Sequence, residues 1–268
     1  MGRSIGGRIA GSGMRLAETL RLRGPMRSVF RRLPARTRVG LGRLQVRLGV
    51  MDGLLKVPEE ELRRSFRDAL ALVGGGDAPP VYLEFGVYVG TSMACMVHAS
   101  GKAGATGGRF VGFDSFQGMP APVPGENAAW TWQQGQLYSD VDLTRSNLRR
   151  LGVDPDRIEL VEGWYDETLT DEMRARLALD RVTVAMFDCV LSTSTRIALD
   201  FITPLIHDRA VLYFDDWAAG RLADHNLGER KAFEDWIAIH PEFTTEELPG
   251  LRYGESDRVF LLTRTATA

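Results

Sequence analysis

An α/β fold is what this chain of 268 residues predicts: a mostly parallel sheet, helices on both faces, and an antiparallel strand at one edge. Three observations carry that expectation. Short apolar runs at 81–85, 109–113, 158–162, 183–187 and 210–214 alternate with helical patterns at 91–99, 141–151, 169–178, 194–207 and 228–240. Two later runs, 243–248 and 258–263, follow each other across a short connection, which suits antiparallel pairing at the edge. Composition agrees: 44% hydrophobic and 25% charged residues supply enough apolar material for one sizeable core.

Residues 1–56 read as an arginine-rich segment set apart from a folded domain at 57–268. The first fifty residues hold 12 arginines, no lysine and a single acid, Glu18, whereas the rest of the chain is net acidic. Pro25, Pro34, Gly40 and Gly42 interrupt any long helix there. A disordered basic tail, a peripheral arm on a membrane or partner, and a nucleic-acid contact are the three readings. Nucleic acid is disfavoured, because Phe30 alone interleaves aromatic surface with the basic residues. The segment shows no apolar stretch of signal-peptide type, and no run of 18 apolar residues predicts a transmembrane helix. Cys95 and Cys189 lie in apolar runs, as reduced, buried thiols of a cytoplasmic protein do.

The domain opens with Leu62, Phe66, Leu70 and Val73 at helical spacing, closed by Gly74-Gly75-Gly76. In the helix after the fourth strand, Ile197, Ala198, Phe201, Ile202, Leu205 and Ile206 form one apolar face. The stretch 114–140, with Pro120, Pro122, Pro124, Trp130 and Trp132, is long enough for a functional insertion.

Ligands bind at the carboxyl ends of strands in such sheets, so the residues that follow each strand are the candidates. After the first strand, Glu84 leads into Gly86-Val87-Tyr88-Val89-Gly90, and Thr91-Ser92 opens a helix. Two glycines allow a tight turn and close approach to a ligand; a plain strand-to-helix turn is the alternative. The third glycine of a dinucleotide fingerprint is missing, and Glu84 would repel a pyrophosphate, which disfavours a nicotinamide oxidoreductase. An acid there suits an amine-bearing ligand instead. After the second strand, Asp114 can accept hydrogen bonds from the hydroxyls of a ribose, or can be a solvated turn acid. Gly163-Trp164 after the third strand offers flat aromatic surface for an adenine, or a core tryptophan.

Asp188 ends the fourth strand and Asp215-Asp216 the fifth. Three carboxylates converging at one edge repel each other unless a cation is present or one is protonated. All-oxygen ligation suits a hard divalent ion such as Mg²⁺; a helix-capping role for Asp216 is the alternative.

In this order the segments Glu84–Ser92, Asp114–Pro120, Gly163–Leu169, Asp188–Thr195 and Phe214–Trp217 resemble a class I, Rossmann-like S-adenosylmethionine-dependent methyltransferase. More narrowly, "DSFQGMP", "VEGWYDETL" and "LYFDDW" are similar to the macrocin O-methyltransferase family, metal-dependent enzymes that methylate sugar hydroxyls of natural products. The resemblance covers roughly 55–264 and implies a seven-stranded sheet. It implies that Glu84, Gly86, Val87, Tyr88, Gly90, Thr91 and Ser92 hold the methionine part of S-adenosylmethionine. It implies that Asp114 binds the ribose and that Ser115, Phe116, Gly163 and Trp164 flank the adenine. Asp188, Asp215 and Asp216 match the family's Mg²⁺ ligands, with Asp188 also counted as catalytic. The implied partner is a small-molecule acceptor, with homo-oligomerisation left open.

One departure stands out. Relatives carry a D-x-D-L-Y-x-S-T pattern where this chain runs Asp188-Cys189-Val190-Leu191-Ser192-Thr193-Ser194-Thr195. Val190 replaces the second acid, a general-base candidate, and Ser192 the tyrosine. Valine cannot accept a proton. Either the metal alone activates the acceptor, or another group substitutes, or the protein binds cofactor or serves as a scaffold without catalysis. The sequence-based expectation is that Val190→Asp raises turnover on a sugar-type acceptor and that Ser192→Ala changes little.

Overall fold

The computed structural model describes residues 57–73, 79–104, 107–122, 125, 132 and 134–265. The arginine-rich segment, the triple glycine after Val73 and Trp130 fall outside them.

Seven strands form one sheet in the order β3-β2-β1-β4-β5-β7-β6. They are β1 (Val81–Phe85), β2 (Arg109–Asp114), β3 (Ile158–Glu162), β4 (Val184–Phe187), β5 (Arg209–Phe214), β6 (Phe243–Glu247) and β7 (Arg258–Arg264). The first five pair in parallel. β7 runs antiparallel to both β5 and β6, so the reversed strand sits between them and β6 forms the rim. This is the mostly parallel seven-stranded sheet that the sequence leads one to expect.

Among the described residues seven helices cover it: α1 (Glu59–Val73), α2 (Thr91–Lys102), α3 (Val141–Arg150), α4 (Tyr165–Thr168), α5 (Asp171–Arg176), α6 (Ser192–Ile202) and α7 (Gly228–Ala238). Leu62, Phe66, Ala69 and Leu70 of α1 pack with Met93 and Met96 of α2 and Leu148 of α3 on one face of the sheet. Ala198, Leu199, Phe201 and Ile202 of α6 join Phe233 and Trp236 of α7 on the other. Both faces are therefore apolar, which is why β1, β4 and β5 lack the alternation of a half-exposed strand. None of the described helices is long and apolar enough to cross a membrane.

Two expected helices come out differently. The single helix read over 169–178 is two short ones, because Thr170 adopts an extended conformation and its hydroxyl accepts the Met173 N–H, starting α5 afresh. The helix read over 194–207 stops at Ile202 and tightens into a 3₁₀ turn, Thr203–Leu205, where Pro204 has no N–H to continue the ladder.

Three strands end in phenylalanine and β2 carries one just before its last residue, and the sheet aligns them in one row: Phe113 beside Phe85, Phe85 beside Phe187, Phe187 beside Phe214. Their rings stack with centroids 5.4, 5.3 and 4.8 Å apart. Each stacked pair is worth about 0.5–1.5 kcal/mol beyond its buried area. The residue that follows the row on each strand is Gly86, Asp114, Asp188 or Asp215.

Candidate cofactor and metal site

Gly86 takes φ +94°, a left-handed value that an L side chain rarely adopts, and its N–H donates to the Phe113 carbonyl at 2.9 Å. A Cβ at this position would lie 1.9 Å from the Asp188 carbonyl oxygen. The glycine thus lets the β1 turn lie directly against the β4 turn. Gly90 (φ +76°) caps α2, and a Cβ there would crowd Leu148 and Thr144 of α3. Two α3 side chains hold this loop from outside: Thr144 donates to the Tyr88 carbonyl (2.6 Å) and Asn147 to the Val89 carbonyl (2.8 Å). Sequence reasoning did not find either residue, since polar positions on an amphipathic helix look like solvent-facing ones.

The acid of β1 has a different neighbourhood from the one expected. Glu84 is fully buried, and its two oxygens accept from the Tyr82 hydroxyl (2.7 Å) and the Ser92 hydroxyl (2.6 Å). Burial pushes its carboxyl up to about 8, against the lowering effect of those two bonds. The Ser92–Glu84 bond ties β1 to the start of α2. Val87 is also buried, while Gly86, Tyr88 and Thr91 keep part of their surface.

Asp114 is half-buried and clasps the same loop from β2. One oxygen accepts from the backbone N–H groups of Val87 and Tyr88, both at 2.8 Å, and the other from Phe116 N–H at 2.7 Å. Tyr88 (φ +49°) and Phe116 (φ +51°) are bent into the left-handed region to present those amides. Three acceptor positions of the carboxylate are thereby filled, leaving room for about one more donor. Ser115 and Phe116 are buried, and the Ser115 hydroxyl closes the turn by accepting the Gln117 N–H. Gly163 (φ +142°) and Trp164 are half-exposed at the end of β3, where the Gly163 N–H donates to the Asp114 carbonyl.

At the β4 and β5 ends the three aspartates do converge: one carboxylate oxygen from each of Asp188, Asp215 and Asp216 lies within 4.8 Å of the others. Asp215 accepts a short hydrogen bond from the Tyr253 hydroxyl. Among the described residues no hydrogen bond reaches the carboxylate of Asp188 or Asp216. Burial, then Asp215 and Asp216, hold the Asp188 carboxyl well above its ordinary range. Burial, then Asp215, push Asp216 up to about 8. Burial also raises Asp215, partly countered by Tyr253. Three carboxyls drawn together, each raised by burial, are a donor set suited to a hard divalent cation, so the residues fit Mg²⁺.

Tyr253 and Glu229 went unread in the sequence. Tyr253 is fixed by Asp257, which accepts its N–H (3.2 Å) and that of Gly254 (2.7 Å). Glu229, fully buried in the first turn of α7, accepts from Asp216 N–H (2.9 Å) and Cys189 N–H (3.4 Å). The acid of a helix first turn is a common sequence feature, so nothing marked this one. Cys95 is buried as expected; Cys189 is only half-buried, because it lies in the turn after β4 rather than in the strand.

Val190 is buried among Met119, Trp132, Leu191 and Leu222, with Leu137 and Leu227 against them. It has φ +61°, and the Leu191 N–H donates to the Cys189 carbonyl across it, a γ-turn on a β-branched residue. The base of the 114–140 stretch docks here, with Trp132 Nε1–H donating to the Pro120 carbonyl (2.9 Å). An acid at 190 would enter an apolar cluster, so the expectation of a gain from Val190→Asp is withdrawn. The Ser192 hydroxyl accepts the Gly228 N–H (2.7 Å), which gives it a structural partner at the start of α7.

Comparison with known proteins agrees with this geometry. The chain is 28% identical over 167 residues to the 8-demethyl-8-(2,3-dimethoxy-alpha-L-rhamnosyl)-tetracenomycin-C 4'-O-methyltransferase of Streptomyces olivaceus, a match covering 60% of this chain and 62% of that protein. Among solved structures, the calicheamicin methyltransferase CalS11 aligns over 93% of both chains with TM-score 0.59 and 22% identity. The O-methyltransferase NovP aligns over 76% of this chain and 80% of its own, with TM-score 0.60 and 19% identity. At those identities the two structures establish the fold alone. The family model of macrocin O-methyltransferase (TylF) matches residues 60–232, which span β1 to β5 and the start of α7, and the chain belongs to that family.

Proposed function

We propose that this protein transfers the methyl group of S-adenosylmethionine to a hydroxyl of a small molecule, a sugar or glycosylated natural product, with Mg²⁺ at Asp188, Asp215 and Asp216. The observation that carries the reading is the adjacency of two turns: the glycine loop after β1 rests on the Asp188 carbonyl, so the candidate cofactor loop and the acidic cluster lie side by side at the strand ends. Family membership and the 4'-O-methyltransferase relative support the transfer of methyl to oxygen and the sugar class.

In this reading the half-exposed backbone of Gly86, Tyr88 and Thr91 lines the methionine end, with the Ser92–Glu84 bond tying β1 to the start of α2. Asp114 offers its remaining acceptor position to the ribose, and Gly163-Trp164 flank the adenine beside Ser115-Phe116. S-adenosylmethionine supplies an electrophilic methyl, and a divalent cation supplies positive charge that lowers the pKa of a nearby hydroxyl. Asp188, in the turn that meets the glycine loop, would align acceptor with donor for in-line attack. The free thiols Cys95 and Cys189 suit a cytoplasmic setting.

A second reading, cofactor binding without turnover, rests on Val190. The deciding experiment incubates the protein with methyl-labelled S-adenosylmethionine and a panel of sugars, glycosylated metabolites and phenols, with and without chelator. Chelator-sensitive labelling of a sugar hydroxyl is expected. Calorimetric binding of S-adenosylhomocysteine with no labelling of any acceptor would favour the second reading; binding of NAD in its place would overturn both.

A further inference from the structure

The β4–β5 ladder runs out at Phe187 beside Phe214, with the Asp215 N–H donating to the Phe187 carbonyl at 3.0 Å. Beyond that point two backbone amides, Cys189 N–H and Asp216 N–H, face away from any strand partner, and one carboxylate takes both. That carboxylate is Glu229. It comes from a separate element, α7, whose own start is anchored by Gly228 N–H to Ser192. Gly228 takes φ +77° to aim the helix at the two turns. Glu229 is fully buried, and no Lys, Arg or His among the described residues pairs with it.

A buried carboxylate without a cation is expensive to keep, and leucine would fill such a position at lower cost. What it does here is join the residue after Asp188 to Asp216 itself, across the gap that the acidic cluster occupies. We propose that Glu229 is a positioning residue for metal binding: by bridging the two turns it fixes the separation of Asp188 from Asp215-Asp216. This rests on the reading of those three aspartates as a cation site. Glu229 touches neither acceptor nor methyl donor; it acts through the backbone of the ligands.

The consequence is specific. Glutamine can accept one of the two amide protons but turns an N–H₂ toward the other, so Glu229→Gln should break the bridge while keeping side-chain volume. Residues that orient ligands from behind change metal affinity by about ten- to a hundredfold. Calorimetric titration of the full chain with Mn²⁺ reads this directly, with S-adenosylhomocysteine affinity as a control for the intact fold. Glu229→Gln is expected to weaken Mn²⁺ by about tenfold or more and to leave S-adenosylhomocysteine within about twofold. Ser192→Ala, which loosens the same helix start without touching either turn, is expected to lower the melting temperature with little change in Mn²⁺ affinity. If Glu229→Gln does not fold, Glu229→Asp serves: it keeps the carboxyl group but its reach is one methylene shorter, and it too should lose affinity. Unchanged Mn²⁺ affinity in a folded Glu229 variant overturns the proposal while the metal reading stands. A wild-type chain that takes up no Mn²⁺ removes the metal reading itself.

Discussion

Glu84 and Asp114 on one half of the sheet edge, and Asp188, Asp215 and Asp216 on the other, are all acids at or just beyond strand ends, yet they are used in opposite ways. Glu84 and Asp114 have donors on both oxygens: two hydroxyls for the first, three backbone amides for the second. The three aspartates together receive one side-chain hydrogen bond among the described residues, from Tyr253 to Asp215. An acid whose oxygens are each already held by donors shapes the backbone around it. An acid left without donors, beside others in the same state, has chemistry to spare for a cation. Position in the sheet makes a carboxylate a candidate; the supply of donors decides its use.

The largest expected effect strikes the donor-poor half. Asp215→Ala should cut metal-dependent methyl transfer on the order of a hundredfold or more, measured as initial rate against Mg²⁺ concentration. A rate within a few-fold of wild type would break the contrast. Next comes the contact between the halves. Gly86→Ala combines a left-handed backbone with a Cβ at 1.9 Å from the Asp188 carbonyl, and should cost roughly 3 kcal/mol or more in denaturant unfolding.

Val190→Asp probes whether the apolar cluster tolerates charge. Burying a carboxylate beside Trp132 and Leu222 should cost about 2 kcal/mol, with no gain in turnover. A gain would restore the missing-base account. A separate, pH-dependent effect concerns the donor-bound half. The folded carboxyl of Glu84 lies up at about 8, above its unfolded value of 4.5, so the folded state keeps a proton that the unfolded chain has shed. Stability therefore falls as pH rises from about 4.5 through about 8. Glu84→Gln should flatten that part of the pH–stability curve, followed by thermal melts; an unchanged slope would mean that Glu84 is ionised when folded.

Much of this was legible in the sequence. The strands read at 81–85 and 158–162 are those formed, and the three aspartates read as one cluster are one cluster. Apolar runs alternating with helical patterns imply a parallel sheet, whereas the strand order that decides which turns meet is seen only in the fold. The partners were not legible. Nothing in a linear pattern says that Ser92 and Tyr82 exhaust Glu84, or that Tyr253, far along the chain, bonds Asp215. The phenylalanine row was visible as four Phe residues at or next to strand ends, but only register puts them side by side. Val190 read as a lost base because its neighbours Met119, Trp132 and Leu222 come from segments distant in sequence.

The contrast between donor-bound and donor-poor acids is tested most directly by titrating Mg²⁺ into Asp216→Asn and Asp114→Asn side by side in a calorimeter. The account predicts that Asp216→Asn loses the binding heat of the wild type and that Asp114→Asn keeps it, while S-adenosylhomocysteine affinity falls in the latter. Loss of Mg²⁺ binding in Asp114→Asn to the same degree as in Asp216→Asn would contradict it.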